Sequence, residues 1–141
     1  MVVVRPAVLV VDDETPLHAI YARVVRGAGG EPTIAATCAE AEALLARHEY
    51  ACALLDKNLP DGSGLTLARR IGGRSAKTAI VLITGFASLD SVEDAIATGV
   101  FDYIVKPFDL ALLHETLTAA LAWAASDAPT RRPGLRRGPP V

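Results

Sequence analysis

Acidic residues stand at two points of the sequence where an apolar run stops. Asp12, Asp13 and Glu14 follow residues 8–11, and Asp56 follows residues 51–55. Two carboxylates about 4 Å apart repel by roughly 4 kcal/mol at an effective dielectric constant near 20, so a site that gathers them needs a cation. A set of oxygen ligands selects a hard cation, and Mg2+ accepts a few carboxylates, waters and a phosphate oxygen.

A hydroxyl and an ammonium group follow two further apolar runs. Thr84 comes after residues 79–83, and Lys106 comes after residues 101–105. Lys106 carries one charge and cannot balance three aspartates. A carboxylate, a divalent metal, a lysine and a hydroxyl together suit phosphoryl transfer, because the carboxylate attacks while the metal and the lysine neutralise the equatorial oxygens. Thr84 can then donate a hydrogen bond to the attached group.

The elements that must position these groups are short apolar strands, each followed by a helix. Strands are predicted near residues 8–11, 33–36, 51–55, 79–83 and 101–105. Unbroken apolar strands alternating with helices indicate a parallel sheet covered on both faces. Five such units predict a flavodoxin-like, doubly wound α/β fold: a five-stranded parallel sheet of order 2-1-3-4-5 with five helices. In that order strands 1 and 3 are neighbours at the switch point, where ligands bind.

Helix boundaries are predicted from capping residues. Four residues that favour helix N-termini mark helix starts: Thr15, Thr37, Ser88 and Asp109. The first helix would begin at Pro16 and end at the glycines 27, 29 and 30, and the second would end near His48. The third would span residues 65–71, and the fourth and fifth would end near residues 98 and 125.

Length and composition indicate one domain. A chain of 141 residues, half of them hydrophobic, supplies one core. Its apolar runs fall far short of the ~20 residues that span a bilayer, and its start does not have the pattern of a signal peptide. Cysteines and histidines lack metal-ligand spacing: Cys38, Cys52, His18, His48 and His114. Two lone cysteines suit a reducing compartment, so a cytoplasmic protein without membrane contact is predicted.

Charge divides the chain into an acidic body and a basic tail. Residues 1–125 contain ten Lys/Arg and fifteen Asp/Glu, a net charge of −5, which argues against nucleic-acid binding. Residues 126–141 contain four Arg, one Asp and four Pro, and few apolar groups. We therefore predict a domain over 1–125 and a disordered Pro/Arg-rich tail over 126–141.

Four segments, each at a predicted strand end, resemble the receiver domain of two-component response regulators. The resemblance extends across residues 7–125. Its motifs are Val10-Val11-Asp12-Asp13-Glu14, Leu54-Leu55-Asp56-Lys57-Asn58-Leu59-Pro60-Asp61-Gly62, Leu82-Ile83-Thr84-Gly85 and Tyr103-Ile104-Val105-Lys106-Pro107-Phe108. Their occurrence together, in this order, is highly specific for the family.

The resemblance implies that Asp56 is the phospho-acceptor, taking its phosphoryl group from the phosphohistidine of a sensor histidine kinase. It implies that Asp13 binds Mg2+ directly and that Asp12 helps to hold the ion, with Asp56 and the backbone carbonyl of Asn58 completing the protein ligands. Receiver domains catalyse only their own phosphotransfer and autodephosphorylation, so the chain is not expected to be an enzyme.

The resemblance also implies a conformational readout. Thr84 and Tyr103 would form the switch pair, Lys106 would contact the phosphoryl group, and the Lys106–Pro107 bond would be cis. When Thr84 moves towards the phosphoryl group, Tyr103 would turn inward. That movement would repack a face made by helix 4, strand 5 and helix 5, which includes Val92, Ile96, Tyr103 and Leu113.

Only the tail follows the predicted domain, so we expect a stand-alone receiver similar to chemotaxis regulators. It would act as a single-domain regulator or a phosphorelay intermediate, through an unidentified protein target. It would be a monomer or a homodimer promoted by phosphorylation.

Two other classes of protein are considered. Residues 12–15 resemble the nucleophile loop of haloacid-dehalogenase-type phosphatases, but that loop has Asp where this chain has Glu14, and Asp56 would have no role. A receiver-fold binding module that works without phosphorylation has usually lost part of the acidic set, Thr84 or Lys106. All of these residues are present here.

Overall fold

The structure, a computed structural model, describes residues 4–85 and 89–126, without the side chains of residues 89–92. The main sheet contains five strands: β1 (Ala7–Val11), β2 (Glu31–Ala35), β3 (Cys52–Asp56), β4 (Ala79–Thr84) and β5 (Asp102–Val105). Five α-helices connect or follow them: α1 (His18–Gly27), α2 (Cys38–Leu45), α3 (Gly64–Arg74), α4 (Leu89–Thr98) and α5 (Leu110–Ala124).

All neighbouring strands of this sheet are parallel, and their order is β2-β1-β3-β4-β5. The predicted fold and strand order are therefore confirmed. The register aligns Val11 with Leu55, and Asp56 with Ile83. The carboxyl ends of the three central strands consequently open on one edge of the sheet.

Helices cover both faces of the sheet. Alternate strand residues such as Leu9 and Leu55 pack with α2, α3 and α4 on one face, while Val10 and Leu54 pack with α1 and α5 on the other. Because side chains alternate across a strand, a strand that is covered on both sides must be apolar throughout. The unbroken apolar runs of the sequence follow from this arrangement.

Two predicted helix caps are present. Thr37 Oγ1 accepts a hydrogen bond from the Glu40 N–H at 3.1 Å, and the Glu40 carboxylate accepts one from the Ala36 N–H at 2.6 Å. Asp109 Oδ1 accepts a hydrogen bond from the Ala111 N–H at 2.8 Å. These caps satisfy amides that the first turn of a helix leaves without partners. The predicted cap at Ser88 lies outside the described residues.

The predicted start of the first helix is wrong. Thr15 does not cap it but lies in a short 3-10 helix, Thr15–Leu17, which includes Pro16. The Leu17 N–H donates to the Glu14 carbonyl at 2.9 Å, which closes a tighter turn than that of an α-helix. As a result α1 begins at His18.

Two predicted helix ends are also wrong. α2 stops at Leu45, because the amides of Arg47 and His48 both bond back to the Leu44 carbonyl. α3 continues to Arg74, although residues 72–73 are both glycine. The Ser75 N–H donates to the Ile71 carbonyl at 2.8 Å, so helical hydrogen bonding continues past the glycines despite a cost of about 1 kcal/mol for each of them.

Among the described residues, no helix combines the length and the apolar character needed to cross a bilayer. Residues 127–141, which make up nearly all of the predicted tail, lie outside the described residues.

Candidate functional site

Three aspartates meet at the carboxyl edge of the sheet. Asp12 and Asp13 directly follow β1, and Asp56 is the last residue of the neighbouring strand β3. Their carboxylates each place one oxygen within 4.8 Å of the others. Asp12 is fully buried and Asp56 is 5% exposed, whereas Asp13 faces solvent. The structure thus brings together the three carboxylates that the sequence predicted to converge.

Lys106, which follows β5, extends into this acidic cluster. Its Nζ lies 2.9 Å from Asp12 Oδ2, 3.1 Å from Asp56 Oδ2 and 2.7 Å from Glu14 Oε1. The Lys106 N–H donates to the Thr84 carbonyl at 2.8 Å, which fixes the strand end that carries this side chain. Together with Asp13, the cluster contains four carboxylates and one ammonium group, a formal net charge of −3.

Asp12 is held by several donors. Its Oδ1 accepts a hydrogen bond from the Glu14 N–H at 2.9 Å, and its Oδ2 accepts one from the Tyr21 hydroxyl at 2.5 Å. The Tyr21 side chain is fully buried and stacks on Phe108, with ring centroids 5.8 Å apart. A ring nitrogen of His18 lies 2.6 Å from the Asp12 carbonyl oxygen and so donates to it. Residues of α1 therefore orient the end of β1.

Burial and hydrogen bonding separate the pKa values of the two buried aspartates. Burial opposes ionisation of Asp12, but donors from Tyr21, Glu14 and Lys106 lower its pKa below the ordinary value of 3.8. Burial raises the pKa of Asp56 above 3.8, since donors from Asn58 and Lys106 offset only part of the desolvation. Although burial opposes it, the contacts with carboxylates raise the pKa of Lys106. The ionised form of Asp56 is thus less stabilised by its surroundings than the ionised form of Asp12.

The loop after β3 folds back on Asp56. Asp56 Oδ1 accepts a hydrogen bond from the Asn58 N–H at 3.0 Å, and the pairs Asn58–Leu59 and Gly62–Ser63 form a small antiparallel ribbon. The Gly64 N–H donates to the Lys57 carbonyl at 3.0 Å. A Cβ on Gly64 would lie 2.1 Å from the Asp56 carbonyl oxygen, so only glycine allows this approach.

Asp61 ties the same loop to helix α2. Its carboxylate accepts hydrogen bonds from the Cys38 N–H at 2.7 Å and from the Ala39 N–H at 3.0 Å. These two bonds lower the pKa of Asp61. The amides belong to the first turn of the helix, where a negative charge is favourable.

The proposed switch residues lie near this edge of the sheet. Thr84 is 4% exposed and follows Ile83, the register partner of Asp56. Tyr103 is 8% exposed and belongs to the core cluster beneath α2, α3 and α4. The Lys106–Pro107 bond is cis, as the family resemblance implied.

The predicted output face needs one correction. Leu113 was expected on it, but this side chain is fully buried against the α1 side of the sheet. Ile96, which was also predicted on this face, is 55% exposed, and the same three elements expose Val105 at 39% and Leu110 at 47%. The side chain of Val92 lies outside the described residues.

The acidic cluster fits a magnesium ion. Oxygens that share one Mg2+ at about 2.1 Å lie at most about 4.2 Å apart. The three aspartate oxygens lie within 4.8 Å of one another, so they need to close by only a fraction of an ångström. A divalent cation would also reduce the negative charge that Lys106 leaves uncompensated.

Several contributors to the site were not predicted from the sequence. The acidic run that contains Glu14 does not predict its contact with Lys106, and no sequence pattern assigns a role in the site to Tyr21 or Gly64. Tyr21 shares a helical spacing with Val24 and Val25, which indicates burial but not a hydrogen bond to Asp12. The need for glycine at Gly64 depends on the backbone of Asp56, eight residues earlier, which no local pattern reveals.

Comparisons with known proteins agree with this geometry. The response regulator receiver domain family matches residues 8–118. The chain is 35% identical over 140 residues to the response regulator protein PilR of Pseudomonas aeruginosa, covering 97% of this chain and 32% of PilR. It is 34% identical over 112 residues to the transcriptional regulatory protein DpiA of Escherichia coli, covering 78% of this chain and 50% of DpiA. The chain thus spans half or less of these two relatives.

Two solved structures support the same assignment of the fold. The CheY-like receiver domain protein of Methanospirillum hungatei superposes with a TM-score of 0.80 at 28% identity, covering 86% of this chain and 97% of that protein. The signal receiver domain of a LuxO repressor protein from Vibrio parahaemolyticus superposes with a TM-score of 0.79 at 27% identity. The match covers 86% of this chain and 93% of that domain.

Proposed function

Because the chain belongs to the response regulator receiver domain family, we propose that Asp56 accepts the phosphoryl group that switches it between signalling states. The donor is the phosphohistidine of a sensor histidine kinase, the class of protein with which receiver domains interact. The observation that carries the proposal is the meeting of Asp12, Asp13, Asp56 and Lys106 at one edge of the sheet.

In the proposed reaction, one Asp56 oxygen attacks phosphorus and forms a P–O bond. The P–N bond of the phosphohistidine breaks, and its electron pair returns to the imidazole ring. Lys106 Nζ lies 3.1 Å from Asp56 Oδ2, so it is placed to contact an oxygen of the new acyl phosphate. Thr84, the residue after the register partner of Asp56, donates its hydroxyl hydrogen to another such oxygen.

The proposed metal ligands are the carboxylates of Asp12, Asp13 and Asp56 and the backbone carbonyl of Asn58. When bound, Mg2+ neutralises charge that develops on the transferred group. The crowding of the three carboxylates supports this ligand set. The Asn58 N–H already bonds to Asp56, which places its backbone beside the cluster.

The proposed output surface comprises α4, β5 and α5. Ile96, Val105 and Leu110 expose large apolar side chains there, as expected of a protein-binding surface. Tyr103 is already buried, so we infer that phosphorylation favours this buried position over an outward one. The target is another protein, or a second copy of the chain after phosphorylation.

Further points of the proposal concern the whole chain. Residues 1–125 would form the receiver domain, since α5 ends at Ala124 and the family matches through residue 118. Its use as a single-domain regulator or phosphorelay intermediate remains a prediction. Free thiols at Cys38 and Cys52 support action in the reducing cytoplasm.

The test uses acetyl phosphate as the donor and intact-mass spectrometry as the readout. With Mg2+ the chain should gain the mass of one phosphoryl group, and chelation of the metal should prevent the gain. Asp56→Asn should not react, whereas Asp94→Asn, which changes an exposed aspartate of α4, should react like the wild type. A mass gain that persists in Asp56→Asn would refute the assignment of the acceptor.

The comparisons give no support to a haloacid-dehalogenase-like phosphatase.

A further inference from the structure

A cavity of about 300 Å³ lies at the end of the molecule remote from the acidic cluster. Its walls come from the loop after α2 and from the last turn of α3, and its floor lies where β3 and β4 begin. Along β3, Ala53 of this floor precedes Asp56 by three residues, or about 10 Å. The proposed phosphoryl transfer makes no use of this cavity.

The floor of the cavity is apolar and buried. Tyr50 is 6% exposed, Ala53 is fully buried and Ile71 is 3% exposed. The adjoining Thr78 is buried, and its hydroxyl donates to the Tyr50 carbonyl at 2.8 Å. The His48 and Tyr50 rings form a T-shaped contact, with ring centroids 6.4 Å apart. Such a floor offers contact area to a flat or branched apolar group.

The rim of the cavity is basic, in contrast to the rest of the domain. Arg47, Arg70 and Arg74 line it with a single acid, Glu49, which leaves a net charge of +2 with His48 neutral. Residues 1–125 contain only ten Lys/Arg and carry a net charge of −5. Three of those ten cations therefore surround one cavity.

Two of these arginines have no partner in the described part of the chain. Arg70 forms an ion pair with Glu42 of α2, but Arg47 and Arg74 form no ion pair or side-chain hydrogen bond with the described residues. The C-terminus of α3 favours a cation at Arg74. Arg47 lies two residues past the end of α2, so the C-terminus of that helix likewise favours its charge, yet neither guanidinium has a carboxylate partner among the described residues. Guanidinium groups at such positions are suited to bind a carboxylate or phosphate through two hydrogen bonds.

We propose that this cavity binds a small organic anion whose carboxylate or phosphate contacts Arg47 and Arg74 and whose apolar body lies on Tyr50 and Ile71. The volume is at the lower limit for small-molecule sites, so the ligand has roughly a dozen non-hydrogen atoms. An apolar floor with a few convergent polar groups is the usual composition of a ligand site.

The test is an NMR titration of the full chain, without metal or phosphoryl donor, using 3-phenylpropionate as the probe and 3-phenylpropanamide as its neutral counterpart. The carboxylate should produce saturable shifts in the backbone amides of residues 45–50 and 70–75. The amide should produce much weaker ones. Arg47→Gln/Arg74→Gln should weaken binding of the carboxylate by about tenfold, since it removes charge-assisted hydrogen bonds.

The control is Arg23→Gln/Arg69→Gln, which removes the same charge from two exposed positions that do not line the cavity. This variant should bind the carboxylate like the wild type. Three results would each overturn the proposal: no saturable shift with the carboxylate, equal affinity for the neutral amide, or equal loss of affinity in both double variants. Shifts confined to the residues around Asp12 and Asp56 would overturn it as well.

Discussion

Lys106 makes three contacts with carboxylates, and these contacts govern the energetics of the site. Its single charge is shared among Asp12, Glu14 and Asp56, and Asp12 receives the greater number of further donors. Asp56 is consequently a buried carboxylate with incomplete compensation, and its pKa is raised by burial. A carboxylate in this state lowers the stability of the metal-free fold, and it is the group that attacks phosphorus in the proposed reaction.

Asp56→Asn should therefore stabilise the metal-free protein, by roughly 1 kcal/mol at pH 7. The pKa of Asp56 is higher in the folded protein than the ordinary value of 3.8, so protonated Asp56 favours folding more than ionised Asp56 does. The wild type therefore loses stability as the pH rises above 3.8 and Asp56 ionises. The advantage of the variant should vanish below that pH. Urea unfolding without metal at neutral and acidic pH measures both effects. A variant less stable than the wild type at pH 7 would contradict this account.

Tyr21→Phe should have the opposite effect on stability. It removes the 2.5 Å hydrogen bond to buried Asp12 and should cost about 1 to 2 kcal/mol at pH 7. The folded pKa of Asp12 is lowered, so its contribution is present above 3.8 and is lost as the pH falls through the folded pKa. The difference between the two proteins should shrink on acidification. Equal differences in unfolding free energy at pH 7 and at about pH 3 would show that the Tyr21 hydroxyl does not act through Asp12.

Between β3 and α3, the loop connects Asp56, the proposed acceptor, to two helices. Gly64 packs against the backbone of Asp56, and Asp61 bonds to the first turn of α2. The position of Asp56 thus depends on contacts made by residues five and eight positions later in the chain.

Gly64→Ala should destabilise the protein by about 3 kcal/mol, because the added Cβ would lie 2.1 Å from the Asp56 carbonyl oxygen and backbone would have to move. Gly73→Ala is the matched control in the same helix. A Cβ there meets no atom of the described chain within 4 Å, and alanine favours helix over glycine by up to about 1 kcal/mol. Relative to the wild type, the melting temperature should fall for Gly64→Ala and rise for Gly73→Ala. Similar melting temperatures would contradict the proposed packing.

The three central strands, β1, β3 and β4, were predictable because they come from unbroken apolar runs, and burial on both faces requires that pattern. The pattern is weaker in β2, which contains Glu31 and Pro32. Helix ends were less predictable. Pro16 suggested the start of an α-helix, yet α1 begins at His18, and the glycines at 72–73 suggested an earlier end to α3. In both regions tertiary packing and hydrogen bonding outweigh the local preference.

Only those site residues that lie at the ends of strands were predictable from the sequence. Asp12, Asp13, Asp56 and Lys106 each lie at or directly after a strand of the main sheet, so topology alone brings them together. Glu14, Tyr21 and Gly64 take part through the turn after β1, a helix face and a close backbone approach. None of these three features has a sequence signature of its own.

For the molecule as a whole, the acidic cluster should couple metal binding to folding. Mg2+ at 100 times its dissociation constant should stabilise the chain by about 2.7 kcal/mol. Asp13→Asn removes one proposed ligand and should abolish most of this gain, whereas Asp94→Asn should leave it unchanged. Melting temperatures with and without Mg2+ provide the comparison. Equal stabilisation of Asp13→Asn and the wild type would exclude Asp13 as a ligand.

The central claim is that one edge of the sheet holds both the ion and the phosphoryl acceptor. The most direct test is a crystal structure of the chain with Mg2+ and beryllofluoride, a mimic of the phosphoryl group. We expect beryllofluoride on an Asp56 carboxylate oxygen and in contact with Lys106, with Mg2+ bound by Asp12, Asp13, Asp56 and the Asn58 carbonyl. Beryllofluoride on another residue, or a metal ion that does not contact Asp13 and Asp56, would contradict the claim.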